Sequence, residues 1–551
     1  MKKLVVVASV FLSINWGFAQ ANLPTAEEKD LMTWYHKDFS TTNVYGVNTE
    51  NAYKFLESKG LKPQTIVVGV LDSGVEVDHP GLIGNLWKNP NEVPGNGKDD
   101  DGNGYIDDVH GWNFIGGKNG DIDIDNLEVT RVVKKYQSIF EGEAAAKNKE
   151  KMPEEYEMYS KAKKIYDKKS TEGGAQQAAF YRQLLEKVPS FVAILNGKNL
   201  TPENLASIKP TTPEQAMGLQ VLSQLAQDPG YKGKTPPALQ EALTKEFEGA
   251  VKHFESEVKQ YDLNFDPRQE IVGDNYEDYS ERFYGNNHYE GPDAQHGTHV
   301  AGIIAGLPNG KEVQKGVAYK VAKIMTVRTV PNGDERDKDV ANSIRYAVDN
   351  GAKILNMSFG KPVSPGMKHV WEAFKYAESK GVLLVKAAGN ENEDIAEHLY
   401  YPTNFKNVTD DKPFLNNMII VGASTNNNDG LRAGFSNYNK KMVDVFAPGE
   451  QIYSTVPDGK YEYLQGTSMA SPVVAGAAAV LWAYMPTLTP EQIIESFVNT
   501  VNKSTDGFAK FSRSGGVIDV KKAAEYAYNN FYSKSNSSKI KEGAKKLKTS
   551  K

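Results

Sequence analysis

Apolar positions along this chain fall into two textures. In the first, short apolar-rich runs occupy residues 65–71, 321–327, 353–357, 382–385 and 418–421. Runs of this length, bounded by Gly, Asp, Ser or Asn, predict strands buried on both faces, as in a parallel sheet. Between them, apolar residues recur at helical spacing over 50–59, 339–349 and 370–379, which predicts amphipathic helices. Strand and helix alternate, so the pattern predicts an α/β fold with a doubly wound, mostly parallel sheet. The second texture runs from Leu127 to Gly285, rich in Lys, Glu, Gln, Ala and Tyr. Its helix starts, Thr201-Pro202-Glu203 and Thr212-Pro213-Glu214-Gln215, place a capping threonine before a first-turn proline. It predicts a mostly α-helical domain over 127–285, with residues 141–155 loosely held. The sheet domain then comprises 20–126 and 286–533.

Composition sets the class without choosing the chemistry. The 551 residues are 24% charged and 39% hydrophobic, values of an ordinary soluble protein, and the length alone allows two to four domains. A net charge of −6 gives no reason to expect a nucleic-acid partner. Lys2 and Lys3, the apolar run 4–12 and the small residues Gly17 and Ala19 predict a secretory signal peptide over 1–19. That run is too short to span a bilayer, and no later segment reaches about 20 apolar residues, so no transmembrane anchor is expected. The expected destination is the periplasm or the outside of the cell. There is no cysteine, so an exported chain must rest on its core and on any bound metal. The last residues, 534–551, carry seven lysines against one glutamate and predict a disordered basic tail.

Polar residues gather where the apolar runs end. The run 65–71 leads into Asp72-Ser73-Gly74, 353–357 into Ser358-Phe359-Gly360, and 382–385 towards Ala387-Ala388-Gly389-Asn390. His296-Gly297-Thr298-His299 and Gly466-Thr467-Ser468-Met469 each open a small-residue helix. Open α/β sheets place their sites at the C-terminal ends of strands, and a helix N-terminus favours developing negative charge. A serine there serves equally well as an N-cap in a packing seam or as a nucleophile. The two histidines could ligate a metal from one helix face, but the His-Glu-x-x-His pattern is absent.

The order Asp72, His296, Ser468 is that of a subtilisin-type triad. On these motifs, with Ala-Ala-Gly-Asn at 387–390 and Asn-Met-Ser-Phe-Gly at 356–360, the chain resembles the subtilisin-like serine peptidases over residues 40–126 and 286–530. The resemblance implies an exported serine endopeptidase acting on protein or peptide substrates through an acyl-enzyme. It makes Ser468 the nucleophile, His296 its general base and acid, and Asp72 the group that orients His296. Asn390 would join the backbone N–H of Ser468 in the oxyanion hole, where losing one donor costs about 10²–10³ in kcat. Ser358, Phe359 and Gly360 would pair with an extended substrate, Gly360 and Gly389 would leave room for a side-chain pocket, and His299 would be structural. A peptide-binding scaffold on an inactive fold is the competing class, but it would have no need of all four side chains.

A second constellation is Asp99-Asp100-Asp101-Gly102-Asn103-Gly104-Tyr105-Ile106-Asp107-Asp108. Asp99, Asp101, Asn103, the Tyr105 carbonyl and Asp107 or Asp108 follow the first half of an EF-hand-type loop, which predicts a structural calcium ion. His110 stands where a full EF-hand has its bidentate Glu. Three departures from the resemblance matter. The Asp and His motifs stand 224 residues apart because the helical segment intervenes just before the histidine, which is expected to bring it beside the active site. It would either restrict access to the cleft or be a tolerated surface insertion. Gly81 also stands where many relatives draw a calcium ligand, and the stretch from Gln20 to Asp72 leaves no room for the usual inhibitory propeptide.

Overall fold

The computed structural model describes residues 26–171, 173–228, 230–310, 312–426, 430–504 and 508–534. The expected signal peptide, 1–19, and nearly all of the basic tail lie outside the described residues. The chain divides into two compact units: a helical unit, Val129–Phe265, and a sheet unit made by the described residues on either side of it.

Nine strands form the central sheet: β1 (Ile66–Asp72), β2 (Gly111–Asn113), β3 (Ala322–Arg328), β4 (Ile354–Met357), β5 (Leu383–Ala387), β6 (Met418–Ser424), β7 (Val445–Pro448), β8 (Asn502–Lys503) and β9 (Gly516–Val517). Their spatial order is β8-β9-β7-β6-β5-β4-β1-β3-β2, parallel throughout except for the β8–β9 pair. Five of these strands are the apolar runs read from the sequence. Both faces are covered, so successive side chains alternate between two cores. Val68 and Val70 of β1 and Val385 of β5 join one; Leu71 and Leu384 join the other. That is why these strands read as predominantly apolar runs rather than as alternating patterns.

Among the helices that cover this sheet or carry residues of its polar edge are α1 (Gln295–Ala305), α2 (Asp337–Asp349), α3 (Met367–Ser379) and α4 (Thr467–Tyr484). Helices α1 and α4 contribute to the first core, α2 and α3 to the second. Among the described residues, α4 is the one helix long and apolar enough to cross a membrane, and it is instead the buried centre of the sheet unit. Every residue of α4 except Ser468 is buried. Ala and Gly suit that position because neighbouring segments crowd the helix; a side chain on Gly476 would press on Val317 Cβ, in the turn before β3, at 2.8 Å.

The boundary of the helical domain differs from the one read from composition. Residues 266–285 belong to the sheet unit, although their charged and Tyr-rich texture continues that of 129–265. Arg268, 3% exposed, forms ion pairs with Asp274 at 2.8 Å and with Asp339 of α2 at 2.7 Å. The fully buried Lys338 adds pairs to Asp274 and Glu281, and Tyr284 donates to Asp339. Buried charges are tolerated only when paired, and here Lys338 and Asp339 of α2, far along the chain, complete the pairing. Within the helical unit, Thr201 and Thr212 cap the amides of Asn204 and Gln215. Its core centres on Phe191, Leu222, Leu239, Leu243 and Phe247. The stretch expected to be loosely held carries the helices Ala145–Lys151 and Pro153–Lys169. Strand β7 and the hairpin formed by Ile452–Val456 and Lys460–Leu464 were not evident in the apolar pattern.

Candidate active site

Strands β5, β4 and β1 are adjacent and parallel, so Asn390, Ser358 and Asp72 emerge at one edge of the sheet. Asp72 ends β1. Its Oδ1 accepts from the amide of Ser73 at 2.8 Å and meets His296 Nδ1 at 2.6 Å. The close approach of α1 to this strand end depends on glycine. A methyl on Gly297 would collide with the Gly74 carbonyl, and one on Gly74, at φ +123°, with that of Glu290. Asp72 is buried while the His296 side chain is 39% exposed, so the pair has a shielded end and an open end. Burial disfavours the imidazolium, but the Asp72 carboxylate, with Asp293 behind it, outweighs that and raises the ring above its ordinary pKa. With Nδ1–H given to Asp72, Nε2 is left as the acceptor of the neutral ring.

Ser468 lies in the first turn of α4. Its Oγ donates to the Ser358 carbonyl at 3.0 Å, and Ser358 Oγ donates back to the Ser468 carbonyl at 2.8 Å. Behind them Asn356 bridges Ser358 and Ser471 with bonds of 2.9 and 2.8 Å. A hydrogen bond from Ser468 to His296 is not among those formed by the described residues. Asn390 is oriented by Thr467, whose amide and hydroxyl both donate to Asn390 Oδ1, at 2.8 and 2.9 Å. That fixes the side-chain amide and turns Nδ2 the other way. The point where Gly466 would carry a Cβ lies 3.5 Å from both Asn390 Nδ2 and the Ser468 amide, and 3.7 Å from Ser468 Cβ. Two N–H donors thus border one small space beside the serine, and Gly466, at φ +150°, keeps it open.

The other predicted residues fall on both sides of expectation. His299 is fully buried, and its Nε2 serves the carbonyls of Ile452 and Glu462 at 3.0 and 3.1 Å, a structural position on the hairpin. Phe359 turns into the second core, leaving its backbone for the groove. The space beside Gly360 and Gly389, expected to be a pocket, holds the ring of Tyr400.

In the acidic loop the structure divides the candidate ligands. Asp99 and Asp101 lie with Glu92 so that one carboxylate oxygen of each falls within 4.8 Å of the others. Asp107 instead accepts the amides of Gly95, Asn96 and Gly97, and Asp108 accepts from Asn89, Asn103 and Tyr346. Asn103 and Tyr105 brace the turn, the tyrosine ring packing on Trp112, Phe114 and Tyr346. Glu92 was missed because a single Glu before Val-Pro carries no motif. Thr467 stands inside the Ser468 motif, but its orienting role shows only in the fold.

Sequence comparisons give the relatives of this chain. A family model described as "Subtilase family" matches residues 64–517. Subtilisin DY of Bacillus licheniformis is 35% identical over 231 residues, covering 42% of this chain and 77% of that protein. Thermitase of Thermoactinomyces vulgaris is 42% identical over 187 residues, or 34% of this chain and 60% of its own. A solved structure, of proteases from Pseudoalteromonas arctica, aligns over 92% of this chain and 100% of its own, with TM-score 0.46 and 20% identity. With the family match running from the strand that carries Asp72 past the helix that carries Ser468, this chain belongs to the subtilase family and is a subtilisin-like serine endopeptidase.

Proposed function

We propose that this protein is an exported endopeptidase in which Ser468, His296, Asp72 and Asn390 perform the chemistry. The observation that carries this reading is the 2.6 Å His296–Asp72 hydrogen bond on the same sheet edge as Ser468 and its paired N–H donors. Ser468 Oγ, a weak nucleophile by itself, gives its proton to His296 Nε2 as it attacks the scissile carbonyl. The negative oxygen forms between Asn390 Nδ2 and the Ser468 amide. His296 then returns the proton to the leaving amine, and water hydrolyses the acyl-enzyme by the reverse sequence. In the free enzyme the serine hydroxyl rests on the Ser358 carbonyl. A substrate N–H that docks there as an added strand takes over that acceptor and releases the hydroxyl towards His296.

A calcium ion suits the Glu92, Asp99 and Asp101 group. Glu92 Oε2 is buried without a partner, and hard oxygen donors on a short loop are what that cation takes. When bound it would neutralise three carboxylates and stitch the loop; it takes no part in the bond-breaking steps. Export is supported by the charged, apolar and small-residue pattern of residues 1–19.

The test is labelling with a fluorophosphonate probe, followed across cell fractions. Wild type is expected to label at Ser468 and to be found outside the cytoplasm, and Ser468→Ala to lose both label and peptide cleavage. Equal labelling of Ser468→Ala, or an unlabelled but folded wild type, would refute the assignment.

A further inference from the structure

We infer that Tyr400 closes the side-chain pocket beside the nucleophile, so that the enzyme accepts small residues (Gly, Ala or Ser) on the acyl side of the scissile bond and rejects aromatic and long ones. This rests on the reading of Ser468 as nucleophile. Two segments flank that serine: Ser358 exchanges hydrogen bonds with it, and Gly389 donates its amide to the neighbouring Thr467 at 3.1 Å. A substrate residue whose carbonyl reaches Ser468 must send its side chain between these segments, past Gly360 and Gly389, where no side chain projects from either wall. The Tyr400 ring edge reaches both walls. A Cβ at Gly360 would collide with Tyr400 Cε1, and one at Gly389 would lie 3.0 Å from that same atom, with Asn437 Nδ2 and Glu391 Oε2 nearer still.

The ring is held in place. Tyr400 OH donates to the Gly360 carbonyl at 2.8 Å. The next residue, Tyr401, exchanges two backbone hydrogen bonds with Lys361, at 2.8 and 2.9 Å. Behind the ring, Lys386 Nζ lies 4.8 Å from its centroid, a cation–π contact in a buried setting. Swinging Tyr400 aside would break the hydroxyl bond and give up the cation–π contact with Lys386, so the ring acts as a fixed floor. A methyl group fits above such a floor; a phenyl ring needs the volume Tyr400 occupies.

The experiment uses enzyme titrated by fluorophosphonate and pairs of peptides identical except for Ala or Phe at the residue supplying the scissile carbonyl. Wild type is expected to favour Ala over Phe by about tenfold or more in kcat/KM. Tyr400→Ala should raise kcat/KM for the Phe peptide by about tenfold or more, while Tyr400→Phe, which keeps the ring, should preserve the preference. A wild type that prefers aromatic, long or acidic residues overturns the inference, as does a folded, labelled Tyr400→Ala with an unchanged ratio. If Tyr400→Ala fails to fold, the wild-type ratio and Tyr400→Phe decide, the latter counting against the floor if it cleaves the Phe peptide as well as the Ala one. Failure of Ser468 to label is a separate result that removes the nucleophile assignment itself.

Discussion

The proton affinity of His296 links the site to pH. Burial pulls against the charged ring, Asp72 and Asp293 pull for it, and the carboxylates win. Since a general base must be neutral, kcat/KM is expected to rise through an apparent pKa above about 6.5. Asp72→Asn should lower that limb and reduce kcat on the order of 10⁴-fold. A pH–rate profile checks both; an acid limb at or below the ordinary histidine value, unmoved by the substitution, would speak against the pair. Because the folded ring holds its proton more tightly than the unfolded chain does, the pair stabilises the fold fully below about 6.5 and loses that contribution as pH rises through the folded value. Activity and this stabilisation therefore run in opposite directions with pH. At this scale Asp72, His296, Ser468 and Asn390 were legible because each sits in a short motif at an element boundary. Tyr400 was not, because what makes it matter is the gap it fills between two segments 29 residues apart (360 and 389), and adjacency of that kind leaves no trace in Leu399-Tyr400-Tyr401-Pro402.

Elements differ in how well they announce themselves. The buried parallel strands read clearly, because two covered faces leave them predominantly apolar, with few polar positions such as Asn356 and Lys386. The segment 266–285 did not, because a buried Arg268 or Asp274 looks like a surface residue until its partner is known. The same holds for Lys338 and Lys361, both buried and ion-paired. The acidic loop lies between these cases: its turn was visible, but Glu92 joins only through the fold, with Oε1 accepting the Asp100 amide at 2.9 Å. If this loop holds calcium, chelation should lower the melting temperature by about 5 °C or more. Glu92→Gln and Asp101→Ala should each blunt that response, whereas an unchanged melting curve with chelator removes the claim.

On the scale of the molecule, the helical unit has a core of its own, and its two junctions are fastened by one side chain. Arg336 of the sheet unit holds Asp125 at 2.7 Å and Asp266 at 3.3 Å, which flank the unit on either side. Closing a loop between ends already held together costs little, whatever its length. Replacing 129–265 by a short Gly/Ser linker should therefore leave a folded sheet unit whose small-peptide turnover stays within about fivefold. Loss of that turnover with an unfolded sheet would overturn this independence. Comparing protein with peptide cleavage in the same variant then decides whether the unit limits substrate choice: an unchanged ratio removes that role. The central position of β1 has a consequence of another kind, in time. Both of its neighbours, β3 and β4, are encoded about 250 residues or more downstream, so at about 5–20 residues per second the ribosome takes roughly 12–50 s to supply the first of them. For that interval the most apolar strand of the sheet has two unpaired edges, the condition in which strands aggregate. The yield of folded protein should thus depend on what shelters residues 66–72 while the rest of the chain is being made.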